Sequence, residues 1–236
     1  MNSVSIILPC YNPPPGWDQY VRQGFDFLER DLGLDVEIII VNDGSTAAIS
    51  TAALDFLRTH IKKLQYLSYP HNKGKGHALR QGVRQAAAPI VLYTDIDFPY
   101  TLQSLGQVWE TLDNGGADIV AGVKDEAYYT HVPTFRVFIS KILRFFIGLL
   151  LRMPITDTQC GLKGFNAKGK AVFLSTVTDR YLCDLEFLYK AFRHKPKLDV
   201  YARPVSLRGD VVFRKMDRRI LWQELKSFLK IIRKKH

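Results

Sequence analysis

The chain has 236 residues, 47% of them hydrophobic, and 33 Lys and Arg against 23 Asp and Glu give a formal net charge of +10. That length and apolar content fit one large domain with a sizeable core, and the charge selects for anionic partners: nucleic acid, an anionic membrane face or phosphorylated small molecules. Cys10, Cys160 and Cys183 form no CxxC pair and join no His or Cys cluster at zinc spacing, which excludes a disulfide framework and a structural zinc and leaves reduced thiols.

The first stretch, "MNSVSIILPCYN", has no basic flank before a long apolar core, so it predicts a strand over 3–8 and not a secretion signal. Trp17, Val21, Phe25, Leu28 and Leu32 follow at steps of three and four, the spacing of a helix with one buried face. Short runs rich in β-branched residues predict further strands over 36–41, 64–69, 90–94 and 117–122, with Leu102, Leu105, Trp109 and Leu112 marking a helix between the last two. Such βα alternation predicts an α/β fold, a mostly parallel sheet flanked by helices on both faces. Residues 1–210 are expected to form this domain and 211–236 a basic amphipathic tail.

Two later segments suit a membrane surface. The stretch 137–151, "VFISKILRFFIGLLL", is too short to span a bilayer and carries Lys141 and Arg144, but as a helix it would be apolar all round except for one basic stripe. Ile220, Leu221, Trp222, Leu225, Phe228, Leu229, Ile231 and Ile232 oppose Lys226, Lys230, Arg233 and Lys234 in the tail. Packing on the sheet or on another subunit would explain both patterns equally well. No transmembrane helix is predicted, and the protein is expected in the cytoplasm.

In parallel sheets ligands bind beyond the carboxyl ends of the strands. Those ends read "PCYN" (9–12), "NDGS" (42–45), "PHNKGKG" (70–76) and "DID" (95–97), all polar, glycine-bearing or acidic. The place where a dinucleotide fold needs GxGxxG holds "PCYNPPPG", and Gly164, Gly169 and Lys170 match a P-loop except that Ala171 stands where a hydroxyl is required. "GLKG" (161–164) fits the loop of a KH domain, but the chain is far larger and its aromatics do not interleave with basic residues, so nucleic acid is not expected as a partner.

Asp95 and Asp97 stand one residue apart at the end of an apolar run. Two ionised carboxylates there need a cation, because burying them unpaired costs several kcal/mol. A divalent ion takes one or two carboxylates together with the phosphates of its substrate. The simpler alternative is that they cap the helix starting near Thr101 or lie in a solvated turn.

Four segments in this order, "SIILPCYN", "IIIVNDGS", "NKGKGHALRQGV" and "YTDIDF", resemble glycosyltransferase family 2, the inverting GT-A enzymes, and among them the dolichyl- or polyprenyl-phosphate mannosyl- and glucosyltransferases. The resemblance is strong over 3–125 and fainter through "DTQCGLKGF", "LCDLEFLYKA" and "RPVSLRGD". It implies a GT-A fold, a nucleoside diphosphate sugar as donor, GDP- or UDP-linked, Mg²⁺ or Mn²⁺ as cofactor, and a lipid phosphate as acceptor at the cytoplasmic membrane face. Carried over by position, Pro9 and Tyr11 would meet the base and ribose, Asp43 would hydrogen-bond the base, and Gly74 and Lys75 would sit in the donor loop. Asp95 would contact ribose and metal-bound phosphate, with Asp97 as metal ligand. Arg208, Arg214 and Lys215 fall where the family has a basic loop closing over the phosphates, and Arg136 is a candidate for the acceptor phosphate. Asp157 resembles a position near the acceptor that would serve as general base, with an Asx-type turn as the structural alternative; Asp184 and Glu186 are candidates to line the same pocket.

Two positions depart from the family pattern. Pro13 replaces a usual Glu, and Pro99 replaces a Gln that helps hold the metal in some relatives. Transfer to a sugar hydroxyl, and a non-catalytic basic module that binds membrane or nucleic acid, are the competing readings.

Overall fold

A computed structural model describes residues 2–124, 151, 153–155 and 157–211. The segment 137–150, the tail beyond 211, and with them Arg136, Arg214 and Lys215 lie outside the described residues.

Strands β1 (Ser3–Cys10), β2 (Asp35–Asp43), β3 (Leu64–Tyr69), β4 (Ile90–Tyr93), β5 (Ile119–Lys124), β6 (Lys163–Phe165) and β7 (Val200–Val205) form one sheet in the order β3-β2-β1-β4-β6-β5-β7. Pairing is parallel from β3 through β4 and between β5 and β7, while β6 runs antiparallel to both its neighbours. The five strands expected from sequence are present within about two residues. Residues 163–165 and 200–205 were not foreseen, since three residues are too few to show a period and β7 is largely exposed.

Alternation along the strands feeds two cores. Val4, Ile6 and Leu8 of β1 and Ile38 and Ile40 of β2 face one layer, where they meet helices α1 (Trp17–Asp26), α2 (Thr51–His60) and α4 (Leu102–Asp113). On the opposite face, Ile7, Ile39 and Val41 pack with α3 (Lys75–Gln85), α5 (Ala167–Leu174) and α6 (Cys183–Arg193). Strands covered on both faces read as nearly continuous apolar runs, as β1, β2 and β4 do. The predicted first helix is real, with its last turn, Phe27–Asp31, widening into a π-helical turn.

Several buried polar groups in this frame are paired. Ser5 donates to Glu37, which also accepts from the Ala87 amide and Gln65. Lys163, wholly buried in β6, donates to Asp184, and Tyr93 donates to the same carboxylate. These positions also dispose of two near-matches. Lys170 of the P-loop pattern donates to the carbonyl of Ala86, and Lys163 of "GLKG" is locked in the core, so neither presents a cation to a phosphate.

Candidate active site

The carboxyl ends of β1, β2 and β4 and the start of α3 converge on a cavity of about 610 Å³. Asn12 ties two of these ends together. Its backbone adopts φ 47°, its amide donates to Ser45 Oγ, and its Oδ1 accepts from the amides of Thr46 and Ala47. Pro9 and Tyr11, from the end of β1, both line the cavity.

Asp43 lies at the end of β2 and is nearly fully buried. Its Oδ1 accepts from Tyr69 OH at 2.8 Å and the Lys73 amide at 2.8 Å, and its Oδ2 from Asn72 Nδ2 at 2.9 Å and the Gly74 amide at 2.9 Å. A carboxylate has about four acceptor positions, and here four donors from the chain fill them. The sequence reading assigned Asp43 to the nucleotide base. In the folded chain its carboxylate is spent on fixing the loop 72–74, from which α3 starts.

That loop ends at Gly74, with φ 109°, where a Cβ would fall 2.4 Å from the carbonyl oxygen of Asp179. Lys75, the next residue, extends its ammonium to within 2.6 Å of Asp95 Oδ1. Burial alone would lower the Lys75 ammonium, but Asp95, and Asp184 behind it, outweigh burial and hold it above its ordinary value. The first turn of α3 therefore places a fixed cation at the cavity, with the positive end of the helix dipole beside it, while the amides of Gly74, Gly76 and His77 are taken by Asp43 and the Asp179 carbonyl.

Beyond β4 the chain keeps alternating. Ile96 and Phe98 turn into the core, while Asp95 and Asp97 line the cavity with Pro99. Phe98, at φ 43°, donates its amide to the carbonyl of Asp95 and closes the turn. Neither aspartate caps the following helix: Thr101 does so, its Oγ1 accepting from the Ser104 amide. Gly161 leaves the room that Asp95 needs, since a Cβ there would lie 2.7 Å from Asp95 Oδ2.

Cys10 also borders the cavity, and burial pushes its thiol up to about 12 despite a hydrogen bond with Ser45. It stays protonated and is no nucleophile at neutral pH. Tyr100, raised by burial first and then by Cys160 and Asp95, remains a neutral phenol whose oxygen accepts from the Gly161 amide.

Four sequence candidates fall elsewhere than expected. Asp157 does not border the cavity. It is buried, accepts from the Lys124 amide at 2.8 Å and sits 3.7 Å from Lys124 Nζ, so it anchors the end of β5 rather than an Asx-type turn. Asp184 and Glu186 are both buried: the first pairs with Lys163, and the second accepts from the amides of Val177 and Thr178. Arg208 does not border the cavity either, although its neighbours Leu207 and Val211 do. Its guanidinium lies 3.8 Å over the Tyr20 ring and its Nε is 3.2 Å from Asp210 Oδ1, outside hydrogen-bonding geometry.

The cavity also holds residues the sequence reading missed, among them Lys124, Gln159, Arg180 and Tyr181. Lys124 was within reach, because the rule of inspecting strand ends applies equally to β5. No local pattern marks Arg180 and Tyr181, which a loop between α5 and α6 carries to the site. Among the described residues no group of three or more His, Cys, Asp or Glu that could hold a metal stands together.

The family model for glycosyl transferase family 2 matches residues 5–170. A dolichyl-phosphate beta-glucosyltransferase of Drosophila melanogaster is 30% identical over 224 residues, covering 87% of this chain and 68% of the relative. A second, from Trichomonas vaginalis, is 29% identical over 211 residues, covering 83% of this chain and 63% of its own length. The chain thus spans about two thirds of the length of these curated relatives. Mannosyl-3-phosphoglycerate synthase from Rubrobacter xylanophilus superposes with a TM-score of 0.71 at 14% identity, covering 98% of this chain and 73% of that one. Glucosyl-3-phosphoglycerate synthase from Mycobacterium tuberculosis, in complex with Mn²⁺, UDP-glucose and phosphoglyceric acid, gives 0.69 at 15% identity, covering 98% and 80%. The fold is GT-A, and the chain belongs to glycosyl transferase family 2.

Proposed function

We propose that this chain transfers a hexose, glucose in the first instance, from a nucleoside diphosphate sugar to a polyprenyl phosphate with inversion at the anomeric carbon. The observation that carries the reading is the meeting of Asp95 and Asp97 with Lys75 in one cavity, beside a loop that Asp43 holds rigid. The names of the curated relatives support glucose and a lipid phosphate.

Pro9 and Tyr11 would receive the base and ribose at the end of β1, and Gly74 and Lys75 the diphosphate at the start of α3. Mg²⁺ or Mn²⁺ fits the residues present. Asp95 Oδ1 is engaged by Lys75, Asp95 and Asp97 both border the cavity with hard carboxylate oxygens, and such ions complete their shells with substrate phosphates and water. When bound, the ion supplies positive charge to the leaving nucleoside diphosphate. Lys75 adds to that charge from a fixed position, which is worth most in a water-poor cavity. An oxygen of the acceptor phosphate attacks the anomeric carbon as the bond to the diphosphate breaks, and the electron pair leaves with the diphosphate. That nucleophile is already ionised, so the step needs little general base. Asp157, paired with Lys124, then acts by holding that cation at the cavity.

Arg214 and Lys215 are proposed as a basic segment near the phosphates and Arg136 as a contact of the acceptor, while Arg208 lies over Tyr20 outside the cavity lining. Among the described residues no helix is long and apolar enough to cross a membrane. The basic amphipathic patterns at 137–151 and beyond 211 support peripheral contact with the cytoplasmic face, where a lipid phosphate would be met.

Titration of the purified chain with UDP-glucose, GDP-mannose and UDP-N-acetylglucosamine, each with and without Mn²⁺, tests the donor half. One donor should bind in a metal-dependent manner, and Asp97→Asn should abolish that dependence. Incubation of the bound donor with polyprenyl phosphate, against polyprenol as control, tests the acceptor half. Absence of donor binding under every condition overturns the reading.

A further inference from the structure

Among the described residues three cations border the cavity, Lys75, Lys124 and Arg180. The first is paired with Asp95 and the second with Asp157. Arg180 differs, since its guanidinium has no hydrogen-bond or ion-pair partner among the described residues.

The loop that carries Arg180 is fastened on both sides. Asp179 accepts at its carbonyl from the amides of Gly76 and His77, at 2.7 and 3.1 Å. Arg80 donates to the carbonyl of Thr178 at 2.8 Å and pairs with the Asp179 carboxylate. From α6, Glu186 takes the amides of Val177 and Thr178. The fastening is tight enough that a Cβ at Gly74 would lie 3.0 Å from Arg180 Cγ. A guanidinium is therefore held beside the start of α3 by backbone that cannot easily move, with the half-exposed ring of Tyr181 next to it at the cavity rim.

We propose that Arg180 is a phosphate-binding residue of this cavity, taking phosphoryl oxygens of the donor diphosphate or of the lipid phosphate acceptor. The choice between those two sources rests on the function proposed above, but the anion-binding role does not. A planar guanidinium matches two phosphoryl oxygens at once, and a position fixed in advance reduces the entropy lost on binding. Lys75 and Lys124 are already paired with carboxylates, so Arg180 adds a further cation at the cavity that a phosphoryl group can meet directly.

The test compares the full chain with Arg180→Ala and Arg180→Lys in calorimetric titrations. The probes are inorganic pyrophosphate, UDP with Mn²⁺, and farnesyl phosphate with farnesol as the phosphate-free control. Arg180→Ala should weaken at least one phosphate probe by about tenfold to a hundredfold, Arg180→Lys should recover part of that loss, and the thermal midpoint should stay put. A loss confined to UDP assigns the donor diphosphate, and one confined to farnesyl phosphate assigns the acceptor. Pyrophosphate binding that Arg180→Ala removes, in a protein that binds no nucleotide, keeps this proposal while overturning the donor reading. Binding of every phosphate probe that is unchanged in Arg180→Ala overturns this proposal and leaves the function intact. Wild-type protein that binds none of the probes overturns both.

Discussion

Lys75 Nζ and Asp95 Oδ1 lie 2.6 Å apart, joining the first residue of α3 to the aspartate that follows β4. The pair borders the cavity and ties the start of α3 to the segment after β4. On the function proposed above, replacing Lys75 by Ala removes a fixed cation from the diphosphate and leaves Asp95 without its ion-pair partner. The expected result is a fall in kcat/KM for the donor of about a hundredfold to a thousandfold, with Lys75→Arg less affected. Steady-state kinetics on both variants checks it.

Asp157 separates the two acceptor chemistries. Asn in its place can still accept from the Lys124 amide but cannot take a proton. With a phosphate acceptor the turnover of Asp157→Asn should fall by less than about tenfold, because general base catalysis, worth roughly a hundredfold to ten-thousandfold, is not required. A fall within that larger range would point to a hydroxyl acceptor.

Two glycines three residues apart, Gly161 and, in β6, Gly164, should fail in different ways. A Cβ at position 161 would stand 2.7 Å from Asp95 Oδ2, so Gly161→Ala must displace a carboxylate at the site. A Cβ at 164 would stand 2.2 Å from Leu92 Cδ2 and 2.7 Å from Leu112 Cδ1, both inside the core. Gly164→Ala is expected to lose about 1–3 kcal/mol of stability through overpacking, while Gly161→Ala loses metal-dependent donor affinity with a nearly unchanged unfolding midpoint. Urea unfolding and calorimetry on the two variants distinguish these outcomes.

The buried pair of Lys163 and Asp184, 2.9 Å apart, makes a coupled prediction. Lys163→Met strands a carboxylate in the core and should cost about 3–5 kcal/mol. Combining it with Asp184→Leu removes the stranded charge, so the double variant should be more stable than Lys163→Met alone. Denaturant midpoints at equal slope measure the coupling.

Stability below neutral pH should depend in part on Asp118. Burial would raise its carboxyl, but Asn166, the Asp199 amide and Lys168 outweigh burial and hold it below the usual carboxylate value. A group lowered in the folded state contributes stability above its unfolded value, and that contribution is lost as pH falls through the folded one. Asp118→Asn should therefore reduce stability at neutral pH and flatten the acid side of the stability profile, as thermal midpoints across an acid series would record.

The sequence by itself determined the strands β1 to β5, the helices α1 and α4, and an edge bearing Pro9, Tyr11, Asp43, Gly74, Lys75, Asp95 and Asp97, all of which border the cavity. These features are local. A side-chain period needs only a few consecutive residues, and a strand end is marked where that period stops. Only the tertiary structure decided which partner each charge takes. Asp43 is saturated by the loop some 30 residues later, Asp157 pairs with the end of β5, Asp184 and Glu186 turn inward, and Arg180 arrives from a loop about a hundred residues beyond Lys75. No local pattern encodes those contacts, because burial forces every polar group to find a partner, and which one lies within reach depends on how the layers pack.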